Sequence, residues 1–422
     1  MLQQIENRVL CSASGASERR RSPAGVEHSS VNALFYLVGR HLVATPLFGP
    51  AVFVPLAAVT ASMVWGWLAW RRGLPWSVAV WAGLSMLAFA VLDWVLLVAL
   101  TGLGLSYAPV NRALGVITAA RLSALGLLVV VIGAALLWRR TAEFSGGLNW
   151  LWALNLVIVA GSVYAMFVEP FALQTSRITL PGPQVGAGRP LRILHLTDTH
   201  IERITRRERE VLAQAQALQP DLILLTGDYP NLDYMNDPQT RQEVRWFISQ
   251  LSAPLGVYAV SGTVDSPGVL ADVFDGLPVR LLQDEVQRLE IGGQELYLLG
   301  VANLGRERDA AVLQQLASQT PPDAYRILLY HTPDLAEAAA QAGVDLYLAG
   351  HTHGGQIRLP WYGAIVTFSA YGKRFEGGLY DVNGTTLFVS RGLGLEGFGL
   401  PRARLFCPPE IALFELSSGA GQ

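Results

Sequence analysis

The sequence predicts a chain in two parts, a four-helix transmembrane region followed by an α/β domain. Three observations carry that reading. Hydrophobic residues fill 51% of the 422 positions and charged residues only 15%, and the mean hydropathy of +0.34 is too apolar for a wholly water-soluble chain. Four apolar runs, 51–70, 76–100, 113–138 and 148–168, each reach the roughly 20 residues that a bilayer requires. Beyond position 190, short apolar runs alternate with amphipathic ones, and several of the apolar runs end in Asp or His.

Residues 1–50 are polar at first and include Arg19, Arg20 and Arg21. No apolar run with a small-residue cleavage site follows these arginines, so they read as a disordered tail rather than a signal peptide. Across 51–170, Trp67, Trp70, Trp76, Trp138, Trp150 and Trp152 cluster near the ends of the runs, as interfacial aromatics do. Asp93 and Arg121 lie inside the second and third runs. In an antiparallel hairpin they would sit about 10–12 Å below one surface, which suits an ion pair; Arg121 snorkelling alone is the other reading. Arg71/Arg72 and Arg139/Arg140 are the densest loop cations. They belong in the cytoplasm, which places the C-terminal domain outside the cytoplasm in a multi-pass protein of the cell membrane. The lipid bilayer is therefore an expected partner. Residues 171–190 hold Pro181, Gly182, Pro183, Gly186, Gly188 and Pro190 and read as a linker, with the second domain spanning 191–422.

The net charge of −2 argues against a nucleic-acid partner. Cys11 and Cys407 fit no metal spacing and build no disulfide framework. Within the second domain, Arg206–Leu218, 240–251, 309–318 and 335–342 have helical spacing, and 255–260 and 326–330 read as strands. Asn383-Gly384 is expected to turn a β-hairpin before a strand over Thr385–Val389.

The chemistry gathers at four predicted strand ends. The run 345–349 ends in Gly350-His351-Thr352-His353. Extended backbone would point both imidazoles to one side, as metal ligands or as a pair satisfied by ordinary hydrogen bonds. The run 191–196 ends in Thr197-Asp198-Thr199-His200, 221–226 in Gly227-Asp228, and 326–330 in His331. Open α/β sheets build their sites at such ends, and a mixture of imidazole and carboxylate suits Mn, Fe or Zn.

In order along the chain, Asp198-Thr199-His200, Gly227-Asp228, Gly262-Thr263-Val264-Asp265, His331 and Gly350-His351-Thr352-His353 resemble the motifs of the calcineurin-like metallophosphoesterase superfamily. Gly354-Gly355-Gln356-Ile357-Arg358-Leu359-Pro360, Val389-Ser390-Arg391-Gly392-Leu393-Gly394 and Cys407-Pro408-Pro409-Glu410-Ile411 look like its membrane-anchored bacterial phosphodiesterase branch. The resemblance spans 191–416. It implies two facing sheets flanked by helices and two divalent metal ions. Asp198, His200 and His353 would hold the first ion, His331 and His351 the second, and Asp228 both. The implied activity is metal-dependent hydrolysis of a phosphodiester or pyrophosphate by a metal-bound hydroxide, with Asp228 and His351 as catalytic residues.

Placement beside a membrane suggests a phosphorylated or lipid-linked small-molecule substrate, with Thr263 and Arg391 as contacts. Lys373 and Arg374 could also meet phosphate or form a solvated face. Trp361 and Tyr362 could line a hydrophobic lip or simply pack, and His195 reads as core or as support behind the ligands. One departure stands out. Where the superfamily has Gly-Asn-His-Asp, this chain has Thr263 and Val264, which removes an amide ligand and a proton donor. That departure leaves a catalytically degraded metal-binding or sensing domain as the alternative.

Overall fold

Apolar residues on both faces of the central strands dictate a layered arrangement. In β3 (Arg189–Leu196), Leu191 and Ile193 face one way and Leu194 and Leu196 the other, and β4 (Leu222–Leu225) repeats the alternation. The molecule is described from a computed structural model over residues 164–185, 188–396 and 403–417, with single positions at 88, 157 and 161. The 1–50 tail, the Asp93–Arg121 pair and the four apolar runs, save those single positions and the end of the last run, lie outside the described residues. Among the described residues no helix is long and apolar enough to cross a membrane.

One sheet has seven strands in the order β1-β15-β3-β4-β5-β6, with β2 paired to β3. Here β1 is Gln174–Pro181, β2 Gln184–Val185, β5 Val257–Ala259, β6 Val279–Leu281 and β15 Glu410–Ser417. The second sheet has six strands in the order β13-β14-β10-β9-β8-β7. Its strands are β7 (Glu285–Ile291), β8 (Gln294–Gly300), β9 (Tyr325–Leu329), β10 (Leu346–Ala349), β13 (Gly378–Val382) and β14 (Thr385–Val389). The inner faces meet through Leu191, Ile193, Leu222, Leu224, Leu298, Ile327, Leu348 and Phe414. On the outer face of the first sheet lie α1 (Arg206–Leu218), α2 (Pro238–Ser249) and α3 (Pro267–Phe274); on that of the second lie α4 (Arg306–Ala317) and α5 (Ala336–Gln341). This is the pair of helix-flanked sheets that the motifs implied.

Local chemistry sets the helix starts. Thr205 and Glu208 form a reciprocal capping box at α1, and Asp237 caps α2 with Pro238 in its first turn. Asn383 and Gly384 take φ of 50° and 92° in the β13–β14 turn, the left-handed pair such a hairpin requires. Parallel pairing of β3 with β4 and of β9 with β10 brings four strand ends to one edge of the sandwich.

The linker reading of 171–190 requires correction. Gln174–Pro181 is a full strand, paired in parallel with β15 from Gln174↔Glu410 to Pro181↔Ser417. Ile178 and Leu180 pack on the inter-sheet core. The Pro/Gly cluster only punctuates the turn after β1, so the domain begins well before Leu191. A chain shortened to begin at Leu191 should therefore unfold at lower temperature than one beginning at Glu169, because β15 would lose its outer partner. Thermal unfolding of the two chains checks this, and equal midpoints would return 171–190 to a linker.

Candidate metal centre

Each predicted ligand lies directly after its strand, and the loops are zipped to one another by backbone hydrogen bonds. Asp198 N–H donates to Gly227 O (3.0 Å), His200 N–H to Asp228 O (3.1 Å) and Gly350 N–H to His331 O (2.8 Å). Five ligand candidates, Asp198, His200, Asp228, His351 and His353, have φ between 38° and 69°. That region costs a non-glycine residue about 1–3 kcal/mol, and such strain persists where surrounding contacts enforce it. Two glycines permit the approach. A Cβ on Gly262 would overlap the Asp228 carboxylate, and one on Gly350 would overlap that of Asp198.

The left-handed turn also corrects the extended reading of His351 and His353. The two side chains diverge into separate clusters: Asp198, His200 and His353 form one, and Asp228, His331 and His351 the other. In each cluster the ligand atoms lie within 4.8 Å of one another. His353 Nε2 stands 3.0 Å from His200 Nε2 and 3.5 Å from Asp198 Oδ1. Asp228 Oδ2 lies 3.0 Å from His331 Nε2 and 3.6 Å from His200 Nε2, so it touches both clusters.

Both carboxylates are buried, and among the described residues no lysine or arginine pairs with either. Burial raises the Asp198 pKa, with the imidazoles around it pulling the other way. At Asp228 burial is overcome by His331, then by His200 and His351, which hold it well below the usual carboxylate range. At His331 burial is in turn outweighed by Asp228 and Asp198, which push it up to about 10. Burial, reinforced by His200, pulls His353 well down, and burial with His331 lowers His351. Two sealed carboxylates need positive charge, and converging imidazole nitrogens with carboxylate oxygens are the donor set of a divalent transition ion. The residues fit such ions.

Supporting groups fix the ring orientations. His331 Nδ1 shares a 2.7 Å hydrogen bond with Thr226 O, which turns Nε2 toward the site. Glu396 lies 3.1 Å from His200 Nδ1. His195 Nε2 bonds Thr226 Oγ1 at 2.7 Å, and burial drops its pKa to about 3, so it is a neutral support behind the ligands. Asp265 accepts from the N–H groups of Asp228 (2.7 Å), Gly262 (2.7 Å) and Tyr229 (3.1 Å), clamping two loops. Thr263 Oγ1 donates to both Asp228 oxygens at 3.0–3.1 Å, and Val264 N–H donates to Oδ1 at 3.0 Å. The Val264 side chain brings no polar atom.

Arg391, expected at substrate phosphate, instead pairs with Glu410 at 3.0 Å. Any phosphate there would compete with that carboxylate. Lys373 pairs with Glu376 at 3.2 Å and Arg374 with Glu337 at 2.9 Å.

Sequence reasoning missed Arg404. It is fully buried and has no carboxylate partner among the described residues. Its guanidinium donates to Cys407 O (3.0 Å), Arg391 O (2.9 Å), Gly392 O (3.1 Å) and Gly394 O (2.7 Å), and burial lowers its pKa to about 10. Gly394 N–H returns a bond to Asp198 O (2.6 Å). Arg404 thus braces the glycine loop that presses on the first ligand. Flanked by Arg402 in a Pro-Arg-Ala-Arg stretch, it carries no signal that separates it from a surface cation.

Comparison with known proteins agrees with this geometry. The family model for calcineurin-like phosphoesterase matches residues 191–355. The uncharacterized metallophosphoesterase YkuE of Bacillus subtilis (strain 168) is 31% identical over 268 residues, covering 61% of this chain and 90% of that protein. Phosphodiesterase YaeI of Escherichia coli (strain K12) is 27% identical, covering 63% of this chain and 96% of its own. UDP-2,3-diacylglucosamine pyrophosphatase LpxG of Chlamydia trachomatis is 23% identical, covering 63% and 92%.

Two predictions follow from the electrostatics and the brace. With its pKa at about 10, His331 is protonated at neutral pH in the metal-free protein. A cation must displace that proton, so divalent-metal affinity should rise as pH increases, with proton release on binding. Calorimetric titration in buffers of different ionisation enthalpy measures both, and binding without proton release would overturn the assignment. Arg404→Met should destabilise the domain by about 3 kcal/mol or more, since several buried carbonyls lose their donor. It should also weaken metal binding, whereas an unchanged urea midpoint would remove the brace.

Proposed function

The chain belongs to the calcineurin-like metallophosphoesterases and is a phosphoric-ester hydrolase, and from that premise we propose a specific reading of its bond, its ions and its substrate. It cleaves phosphodiester or phosphoanhydride bonds that have good leaving groups. It would use two divalent ions, which Asp198, His200 and His353 on one side and His331 and His351 on the other would hold, with Asp228 placed to serve both. The observation that carries this is the position of Asp228 Oδ2 between the two ligand clusters. Bound there, divalent ions stabilise charge on a phosphoryl group as Lewis acids and make water acidic enough to attack at neutral pH.

The protein's own side chains do the rest. Glu396 and Thr226 O hold His200 and His331 with Nε2 facing inward. Asp265 keeps Gly262 and Asp228 in register. Thr263 holds the Asp228 carboxylate through its hydroxyl and is itself exposed at the mouth, where a substrate oxygen can meet it. Val264 supplies no proton to a departing oxygen. An alkoxide leaves badly without one, whereas a nucleotide phosphate or aryl oxide leaves well.

A lipid-linked phosphorylated substrate is supported by two facts. One relative carries the name of a UDP-2,3-diacylglucosamine pyrophosphatase, and four bilayer-length apolar runs precede the domain in this chain. The pairs Arg71/Arg72 and Arg139/Arg140 support an extracytoplasmic catalytic domain.

The test is kcat/KM on a matched aryl and alkyl phosphodiester. The parent should strongly favour the aryl ester. Thr263→Asn with Val264→His should raise alkyl turnover by about 10²-fold, within the range of general-acid assistance, and aryl turnover far less. Equal parental rates on both esters would refute the missing-acid reading. Two bound ions with no turnover on either would point to a sensing domain.

A further inference from the structure

Large apolar side chains stand in water beside the metal centre, and the backbone links them into one surface. Strands β11 (Arg358–Leu359) and β12 (Gly363–Ala364) form a short antiparallel hairpin tipped by Trp361 and Tyr362. Trp361 is fully exposed, and Leu359 and Tyr362 about half so. The neighbouring segment presents Phe406, also exposed, and is bonded to the hairpin through Arg358 N–H to Leu405 O (2.9 Å). That segment is stitched in turn to the entering chain: Arg404 N–H donates to Ala165 O (2.8 Å) and Phe406 N–H to Glu169 Oε2 (2.9 Å). Tyr164 and Val168 are exposed there. At its other end the hairpin runs to Phe368, whose ring is exposed and whose carbonyl lies 3.3 Å from His351 Nε2.

The exposure is maintained against local preference. Trp361 and Phe406 adopt φ of 64° and 56°, a region that bulky residues avoid, yet both side chains are turned out to solvent rather than into the core. The tip is also held in place. The Lys373 ammonium donates to Tyr362 O (2.7 Å) and Ala364 O (2.6 Å) and sits 3.8 Å over the Tyr362 ring. An exposed, pre-organised aromatic patch marks an interaction surface.

The occupant follows from composition, charge and position. Trp and Tyr favour the polar boundary of a bilayer. Arg358 and Lys373 share the single carboxylate of Glu376, and Arg206 lies 4.1 Å over the Phe171 ring on the entry segment. The patch is therefore cationic, matching anionic head groups. Tyr164 and Val168 are themselves the end of the fourth apolar run, 148–168, so the last of the bilayer-length runs leads straight into the patch.

We propose that the 358–364 hairpin, Phe406 and the exposed residues at Tyr164 and Val168 form a bilayer-contacting face that seats the rim of the metal centre on the head-group layer. This inference rests on the reading of a lipid-linked substrate and names the surface that would present it. A phosphate at head-group depth would enter past Phe368 without the lipid leaving the membrane.

The test uses the full chain in phosphatidylcholine–phosphatidylglycerol vesicles. A bimane label is placed at Trp361→Cys in a Cys11→Ser background, Cys407 being buried. Glu290→Cys, exposed on β7, is the control. The label at 361 should be quenched by doxyl-labelled lipid and the control by aqueous iodide. A 361 label quenched equally by iodide, or shielded from both quenchers as in a protein contact, would overturn the proposal. Trp361→Ser with Tyr362→Ser should lower kcat/KM on a vesicle-embedded phosphodiester roughly tenfold or more relative to a soluble aryl diester; equal effects on both would also overturn it. Hydrolysis of the soluble ester by the parent separates the two readings. Its absence defeats the catalytic reading while leaving the quenching result to stand by itself.

Discussion

Everything at the edge of the sandwich answers to one electrostatic constraint. Two carboxylates, Asp198 and Asp228, are sealed from water, and among the described residues the ionisable bases in contact with them are imidazoles. Neither can stay ionised there without positive charge close by. Against burial, Asp228 and Asp198 push the His331 pKa up, so this imidazole is where a proton and a cation would compete. The ordering of the surrounding loops makes sense as the means of keeping these groups crowded. The strained φ values, the glycines at 262 and 350, and the Asp265 clamp all oppose the relaxation that repulsion would otherwise drive.

The brace from Arg404 extends the same logic. A buried guanidinium without a carboxylate partner is expensive, and its cost is offset by satisfying carbonyls that the tight turns at 391–394 leave pointing inward. Its charge also lies near enough to depress the His353 imidazole, behind burial and His200 in effect. The side chain that shapes the loop therefore also helps keep a ligand neutral.

The six ligand candidates were legible because each follows a short apolar run, and a strand end is a place that a sequence marks plainly. The sandwich was legible from the same alternation, helped by the family motifs. What escaped was whatever depends on chain segments meeting. β1 hid behind Pro181, Gly182 and Pro183, because its partner β15 lies at the far end of the chain. The His351–His353 turn was misread as extended because contacts across the site, not local preference, set its φ values. Arg391 looked free for phosphate because nothing near it in sequence announces Glu410, nineteen positions on. The β7–β8 hairpin, by contrast, is turned by Gly292 and Gly293, a signal that is local to the sequence.

The stitching of the entry segment has a consequence for motion. Tyr164–Phe171 is bonded to the segment that carries Arg404, and β1 continues it along β15 for eight residues. There is no slack between the point where the chain arrives and the loop that presses on Asp198. A domain on a flexible leash samples orientations freely and loses most encounters to wrong ones. The direction in which the candidate metal centre faces is therefore set, relative to Tyr164–Phe171, by the fold itself, as the sight line of a lens is set by its mount.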